Sequence, residues 1–149
     1  MAPSGKVLCV PKKENLILLI DPTMSPEAAI SEIAIGHIVS GDHKYAGAVL
    51  GLSGLIYFTP LRATGIGVLD PSTEKFSVVD IATNFVEDGH SNYFCGAVLA
   101  PNGRVYFTPA TRGSVGVYDP GDDYPAYRVG GGALSDSWRV LLSPQRNKR

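Results

Sequence analysis

The stretch 104–109 reads RVYFTP and is followed at 115–120 by VGVYDP. Both phrases occur 49 residues earlier, as LIYFTP at 55–60 and IGVLDP at 66–71. Over the 25 positions from Gly47 and from Gly96, 13 residues are identical. A fainter first copy keeps the same frame of glycine, proline and Asp-Pro at 5, 11 and 21–22. Because the spacing does not slip over three copies, each copy is predicted to be one structural unit stacked on the next.

Each copy is rich in β-branched and aromatic residues, which favour strands, and its segments are separated by turn residues. The pair Asn102-Gly103 is a strong hairpin signal, and Asp-Pro closes the third strand of each copy. The helix-forming content of 26–35 is the one departure, but its place in the repeat predicts an extended 29–35. Four short antiparallel strands in a repeat of this length are typical of a β-propeller blade. In the second and third copies the strands are predicted at 46–51, 55–59, 65–69 and 76–81, and at 95–100, 104–108, 114–118 and 127–129.

The segments 105–109 and 115–120 resemble the repeat of YVTN-type propellers, in which a Tyr-Val-Thr-Asn strand is followed by Val-x-Val-x-Asp-Pro and a hairpin. Residues 55–71 show the same pattern, and 6–22 keep its frame. The resemblance implies the architecture of six- or seven-bladed propeller repeat proteins, and it implies no particular activity.

The fold class expected is therefore all-β, a single propeller-like domain over 1–149 with three four-stranded antiparallel blades. Blade 1 is expected at about 4–40, blade 2 at about 44–83 and blade 3 at about 93–131. The first blade starts at its second strand, and WRVLLSP at 138–144 resembles the inner strands of the other blades. Since propellers close with roughly four to eight blades, we expect two copies to form a six-bladed ring. In this homodimer the segment 138–144 of each chain completes the first blade of its partner. The alternative is a fragment of a longer propeller.

Composition excludes several classes of protein. A net charge of -1, with 18% charged residues and a basic cluster confined to 146–149, gives no electrostatic case for nucleic acid. No apolar run reaches the ~20 residues that a membrane helix requires, and no leader is recognisable, so a cytoplasmic location is expected. Cys9 and Cys95 lie in different repeats without the spacing of a zinc site or a disulfide framework. No cofactor and no metal are predicted.

Candidate binding residues collect on one rim. Strand direction places the connections between blades and the turns after each second strand on the same side of the ring, and loops on a rigid scaffold commonly carry function. Arginine there would hold a carboxylate or phosphate, and histidine beside aspartate would serve acid/base chemistry or metal binding. For each of them the alternative is an ordinary solvent-facing turn residue. The candidates are Asp42, His43, Arg62, Asp88, His90, Asn92 and Arg112, with Lys12, Lys13, His37 and Lys44 on the same loops.

Three functions remain open from the sequence. The first is a non-enzymatic scaffold that binds a protein or small-molecule ligand through this rim. The second is a propeller enzyme of lactonase, lyase or hydrolase type, with its acid/base or metal-binding residues at the channel mouth. The inner strands 46–50 and 95–99 carry no carboxylate, amide or imidazole that would hold a metal in the channel, which favours the scaffold. The third is a sugar-binding propeller that uses aromatic residues between blades.

Overall fold

Strands follow the three copies of the repeat. The structure, a computed structural model, describes residues 2, 4–81, 93–111, 114–121 and 138–142. Every regular element in these ranges is a β-strand, and none of them forms a helix of the length and apolarity that crossing a membrane requires. The strands are β1 (Val7–Cys9), β2 (Leu16–Ile20), β3 (Ile30–Ala34), β4 (Tyr45–Leu50), β5 (Ile56–Pro60), β6 (Gly65–Asp70), β7 (Lys75–Asp80), β8 (Phe94–Leu99), β9 (Val105–Pro109), β10 (Ser114–Tyr118) and β11 (Trp138–Leu142).

The strands form three antiparallel sheets, one for each copy of the repeat. The second sheet has the order β4-β5-β6-β7, and the third has the order β8-β9-β10-β11. The first sheet contains β1-β2-β3 and begins at the strand equivalent to β5 and β9. The predicted all-β blade architecture is confirmed, including the extended conformation of the segment at β3. Its blade boundaries remain predictions.

The hairpin turn before the second strand has the same geometry in all three copies. Gly5, Gly54 and Gly103 have φ of 82°, 86° and 81°, a conformation that costs a residue with a side chain about 1–2 kcal/mol. The Gly103 N–H donates to the Ala100 carbonyl over 3.0 Å, and the Ala100 N–H donates to the Arg104 carbonyl over 2.9 Å. The glycine spacing therefore records a backbone requirement of the turn.

The Asp-Pro turns are stabilised by the aspartate itself. Asp70 accepts hydrogen bonds from the Ser72 hydroxyl at 2.6 Å, the Ser72 N–H at 2.9 Å and the Thr73 hydroxyl at 2.9 Å. These bonds, led by that from the Ser72 hydroxyl, hold the pKa of the Asp70 carboxyl below its ordinary value. Asp21 makes the equivalent pair of bonds with Thr23. The predicted turn chemistry is confirmed at both positions.

The core lies between the sheets. One face of the second sheet, with Ile56, Phe58 and Phe76, packs on Ile17 and Leu19 of the first sheet. Alternate residues point to opposite faces of a strand, so the neighbouring Tyr57 and Ile66 of the second sheet lie on its other face. They join the core formed with the third sheet, where the rings of Tyr57 and Tyr118 are 5.4 Å apart. Both faces of the middle blade are thus used, one for each neighbour.

The position of β11 differs from the one expected from the sequence. Trp138–Leu142 pairs antiparallel with β10 of its own chain, with Val140 opposite Gly116 and Leu142 opposite Ser114. It therefore forms the fourth strand of the third sheet, where the sequence predicted 127–129, a segment outside the described residues. Pairing there satisfies the N–H and C=O groups along the open edge of β10. The exchange of 138–144 with a second chain remains a prediction, because the structure contains one chain.

A pair of alanine substitutions in the third sheet tests the hairpin turn. Gly103→Ala is expected to lower the free energy of unfolding by about 1–2 kcal/mol, because alanine must adopt the positive φ. Gly96→Ala is the control: its new Cβ would meet only the Thr108 hydroxyl at 3.8 Å, and a change within about 0.5 kcal/mol is expected. Urea denaturation followed by fluorescence measures both variants. Equal effects at the two positions would contradict the turn assignment.

Candidate functional site

A series of backbone hydrogen bonds runs along one rim and crosses all three blades. The Lys44 N–H donates to the Lys12 carbonyl over 2.9 Å, and 49 residues later the Tyr93 N–H donates to the Leu61 carbonyl over 2.8 Å. The Leu61 N–H donates to the Lys44 carbonyl over 2.9 Å and so connects these two bonds. The Ala110 N–H donates to the Tyr93 carbonyl over 3.1 Å and continues the series. We call this set the rim series. It fixes the loops of adjacent blades to one another through groups that every residue other than proline provides.

The side chain of Lys44 reinforces the first junction of the rim series. It is 1% exposed, and its ammonium donates to the Lys13 carbonyl at 2.7 Å, the Gly41 carbonyl at 2.8 Å and the Asn15 side-chain oxygen at 3.1 Å. Burial of an ammonium is costly unless its donors are satisfied, and all three are satisfied here. None of the acceptors is a carboxylate. Lys44 therefore links the turn at 13–15 of the first blade to the connection that enters the second blade.

His43 has an unusual backbone conformation for a residue with a side chain. Its φ is 57°, and its carbonyl accepts a hydrogen bond of 2.9 Å from the Arg62 N–H. Its Nδ1 is buried and has no hydrogen-bond partner among the described residues. Left-handed residues other than glycine cluster at functional sites, where the surrounding structure holds them in place. His43 is held by the rim series on one side and by the bond from Arg62 on the other.

The predicted site residues are placed as follows. Asp42 and Arg62 are exposed, His43 is half-buried, and the bond between Arg62 and His43 brings their two loops together. The exposed Lys12 and Lys13 come from the third loop at the same junction. These five residues are referred to below as the rim cluster. The other predicted residues, Asp88, His90, Asn92 and Arg112, lie outside the described residues.

The sequence predicts that Lys44 lies on the rim but indicates no role for its side chain. One signal was available: Lys44 occupies the repeat position of Tyr93, next to the buried first residue of an inner strand. A lysine at a position that tends to be buried must have partners. Two of its partners, Lys13 and Asn15, are separated from it by 31 and 29 residues, so a local pattern does not identify them.

A cavity of about 40 Å³ lies between the second and third blades, beside the hairpin turns, and is lined by Leu52, Tyr57, Gly103 and Asp119 among others. Organic ligands require pockets of roughly 300–1,000 Å³, so this one suits water. The described residues also contain no group of three or more His, Cys, Asp or Glu side chains placed to hold a metal ion.

Comparison with solved structures gives the fold. Virginiamycin B lyase from Staphylococcus aureus superposes with a TM-score of 0.66 at 16% identity, over 98% of this chain and 40% of that chain. The fold is that of β-propeller blades. A streptogramin B lyase gives a TM-score of 0.64 at 20% identity, over 96% of this chain and 39% of that one. A catalytically inactive variant of the Staphylococcus aureus enzyme, in complex with quinupristin, gives 0.60 at 19% identity, over 98% and 40%.

These neighbours are β-propeller proteins, which supports the propeller-repeat resemblance found in the sequence. The chain spans about two fifths of their length. No family model matches the chain, and no curated protein matches it. At these identities the comparison establishes the fold alone.

Lys44→Met tests the junction between the first two blades. The substitution keeps the length of the side chain but leaves three oxygen acceptors without their donor, and we expect a loss of about 2–3 kcal/mol in the free energy of unfolding. Lys13→Met is the control, because Lys13 contributes its carbonyl and its side chain is exposed. A change within about 0.5 kcal/mol is expected for the control. Denaturant titration measures both, and a neutral Lys44→Met would show that the ammonium does not join the loops.

Proposed function

We propose that the protein is a binding module that holds an anionic group of a protein or small-molecule ligand at the rim cluster. The observation that carries the proposal is the meeting of three charged loops at one fixed junction. The Lys44 N–H is 2.9 Å from the Lys12 carbonyl, and the Arg62 N–H is 2.9 Å from the His43 carbonyl. Loops held by a rigid scaffold are common binding surfaces.

The charges of the rim cluster favour an anion. Lys12, Lys13 and Arg62 are exposed cations, while Asp42 and the neighbouring exposed Glu14 contribute two negative charges. Arginine presents several planar donors that match carboxylate and phosphate oxygens, and lysine adds point charges. A ligand with one or two acidic groups would therefore meet a net positive surface although the whole chain carries a net charge of -1.

Preorganisation strengthens the same proposal. The backbone at 12, 44 and 61 is fixed by the rim series, and the buried ammonium of Lys44 holds 13, 15 and 41. A loop that is already ordered loses less conformational entropy when it binds. The left-handed conformation of His43 is of the kind that clusters at functional sites, where the surrounding structure holds it in place.

The second junction would extend this surface. In the repeat, Asn92 corresponds to His43, and Asp88, His90 and Arg112 belong to the equivalent loops of the next blade. Asn92, His90 and Arg112 carry amide, imidazole and guanidinium donors, and Asp88 carries a carboxylate. A ligand that spans two blades would then contact both sets.

A titration with simple anions tests the proposal. We expect inorganic phosphate and citrate to shift the amide resonances of 12–15, 41–44 and 61–63 in a saturable way. The double substitution Lys12→Glu with Arg62→Glu should weaken citrate binding at least tenfold, about 1.4 kcal/mol, because it replaces attraction by repulsion. Lys75→Glu is the matched control, since Lys75 is an exposed cation at the start of β7, the outer strand of the second sheet. Shifts that are scattered, unsaturable or unchanged by the double substitution would contradict the proposal.

A lyase is the second candidate, favoured by the likeness to virginiamycin B lyase over 98% of this chain. In this case His43 would act as acid or base, with Asp42, Asp88, His90 and Asn92 as candidate partners. Incubation with quinupristin, followed by chromatography and mass spectrometry, tests this directly. Turnover that is lost in His43→Ala and kept in His37→Ala, an exposed histidine of the preceding loop, would favour the lyase. Binding of anions without turnover of quinupristin would favour the binding module over the lyase.

A further inference from the structure

The first blade exposes an apolar row that the other two blades bury. Val7 lies opposite Ile20, and Ile20 lies opposite Ile30, so the three residues share one face of the first sheet. Val7 is 40% exposed, whereas Ile56, its equivalent in the second blade, is 3% exposed. The row of Ile56 is covered by the preceding blade. We call the uncovered face of the first sheet the leading face.

The third blade exposes the face on the other side of its sheet, the equivalent of the face that the second blade buries against the third. Val98 lies opposite Tyr106, and Tyr106 lies opposite Val117. Val98 is 59% exposed, whereas Val117 is 7% exposed, so the uncovered part of this face lies on β8 and β9. Thr108 on the same face is exposed, whereas its equivalent Thr59 is fully buried in the second blade. We call this face of the third sheet the trailing face.

The leading face of the first blade and the trailing face of the third blade correspond to the two faces that pack on each other at the internal junctions. At both internal junctions, the trailing face of one blade packs on the leading face of the next. The trailing face of the third blade therefore fits the leading face of a first blade. The third blade does not cover the leading face of its own chain, since Val7 is 40% exposed. A second copy of this chain carries both faces in the correct order.

The first sheet also has an edge, at β1, to which an additional strand could pair. Strand β5 pairs with β4, and β9 pairs with β8, whereas β1 pairs with β2 alone within the described residues. The turn that would follow an inner strand is already formed, with the Ala2 N–H 2.8 Å from the Lys6 carbonyl and the Gly5 N–H 2.9 Å from the Ala2 carbonyl. An open edge of this kind accepts an extended segment by strand addition.

We infer that two copies of the chain pair through these faces, and that 138–142 of each copy forms the inner strand of the first blade of the other. The segment 138–144, WRVLLSP, aligns with the inner strand and turn at 95–101, CGAVLAP. Because Leu99 pairs with Val105 and Ala97 with Phe107, the register is fixed. Leu142 of one copy lies opposite Val7 of the other, and Val140 lies opposite Cys9. The assembly is a six-bladed ring, and β11 leaves the edge of β10 when it forms.

Disulfide trapping tests the register. Directly opposed residues of antiparallel strands have Cα atoms about 4.5–5.5 Å apart, within the range of disulfides. In a Cys95→Ser background, Val140→Cys is expected to form a disulfide with the natural Cys9 of the other copy, which gives a covalent dimer of twice 15.8 kDa. Leu141→Cys is the matched control, because adjacent positions of a strand alternate between the two faces of the sheet. Equal dimer yields for the two variants would overturn the inferred register.

The competing arrangement has its own signature. In the single chain Val140 lies opposite Gly116, so Val140→Cys with Gly116→Cys, in a chain whose natural cysteines are replaced by serine, would be trapped within one copy. A disulfide in this variant, without the dimer in the first, would overturn the inference.

Sedimentation velocity of the unsubstituted protein gives an independent test. We expect a species of twice 15.8 kDa, and Val7→Asp should convert it to monomer because a carboxylate would be buried between two apolar faces. Met24→Asp is the control, since Met24 is exposed in the turn between β2 and β3 and belongs to none of the strands of the leading face. A stable monomer of the unsubstituted protein would overturn the inference.

Discussion

Burial of one sheet face against the next holds the arc together. A single blade presents apolar residues on both sides, and each side needs a neighbour. In the middle blade, Phe58 and Phe76 pack with Tyr45 toward the first blade, while Tyr57 packs toward the third, with ring separations of 5.4–6.2 Å. Burial raises the pKa of the Tyr45 phenol far above its ordinary value, so this ring is neutral in the core. The stability of each blade is therefore a property of its junctions more than of its own sheet.

The junctions combine two kinds of interaction with different chemical demands. The core between sheets needs apolar side chains, whereas the rim needs only N–H and C=O groups in register. The first junction adds the ammonium of Lys44, which satisfies three oxygens from two loops. Its repeat equivalent is Tyr93, so the two junctions share their backbone bonds and differ in the side chain that completes them. The binding properties of the two junctions can thus differ while the fold remains the same.

The repeat made most of the fold predictable, because its signals are local. The glycine of each hairpin and the aspartate of each Asp-Pro turn act within a few residues, and both were predicted at the correct positions. The fourth strand expected at 76–81 is observed as Lys75–Asp80. The partners of Lys44 and the pairing of Trp138–Leu142 with β10 were not predicted, since both depend on contacts between distant segments. Of the candidate site, the sequence identified the loops and the charged residues but not the buried ammonium that fixes them.

In the rim series, main-chain groups hold the loops in place, while the exposed side chains of the same loops are available for recognition. Its donors and acceptors belong to the main chain, so these bonds remain available when Lys12, which contributes its carbonyl, is exchanged for another residue, or when Leu61 or Ala110 is exchanged for any residue other than proline. A new side chain at such a position changes what the surface recognises without altering the way in which the blades are joined. In evolutionary terms, this rim is a surface on which specificity can diverge rapidly within a fixed architecture.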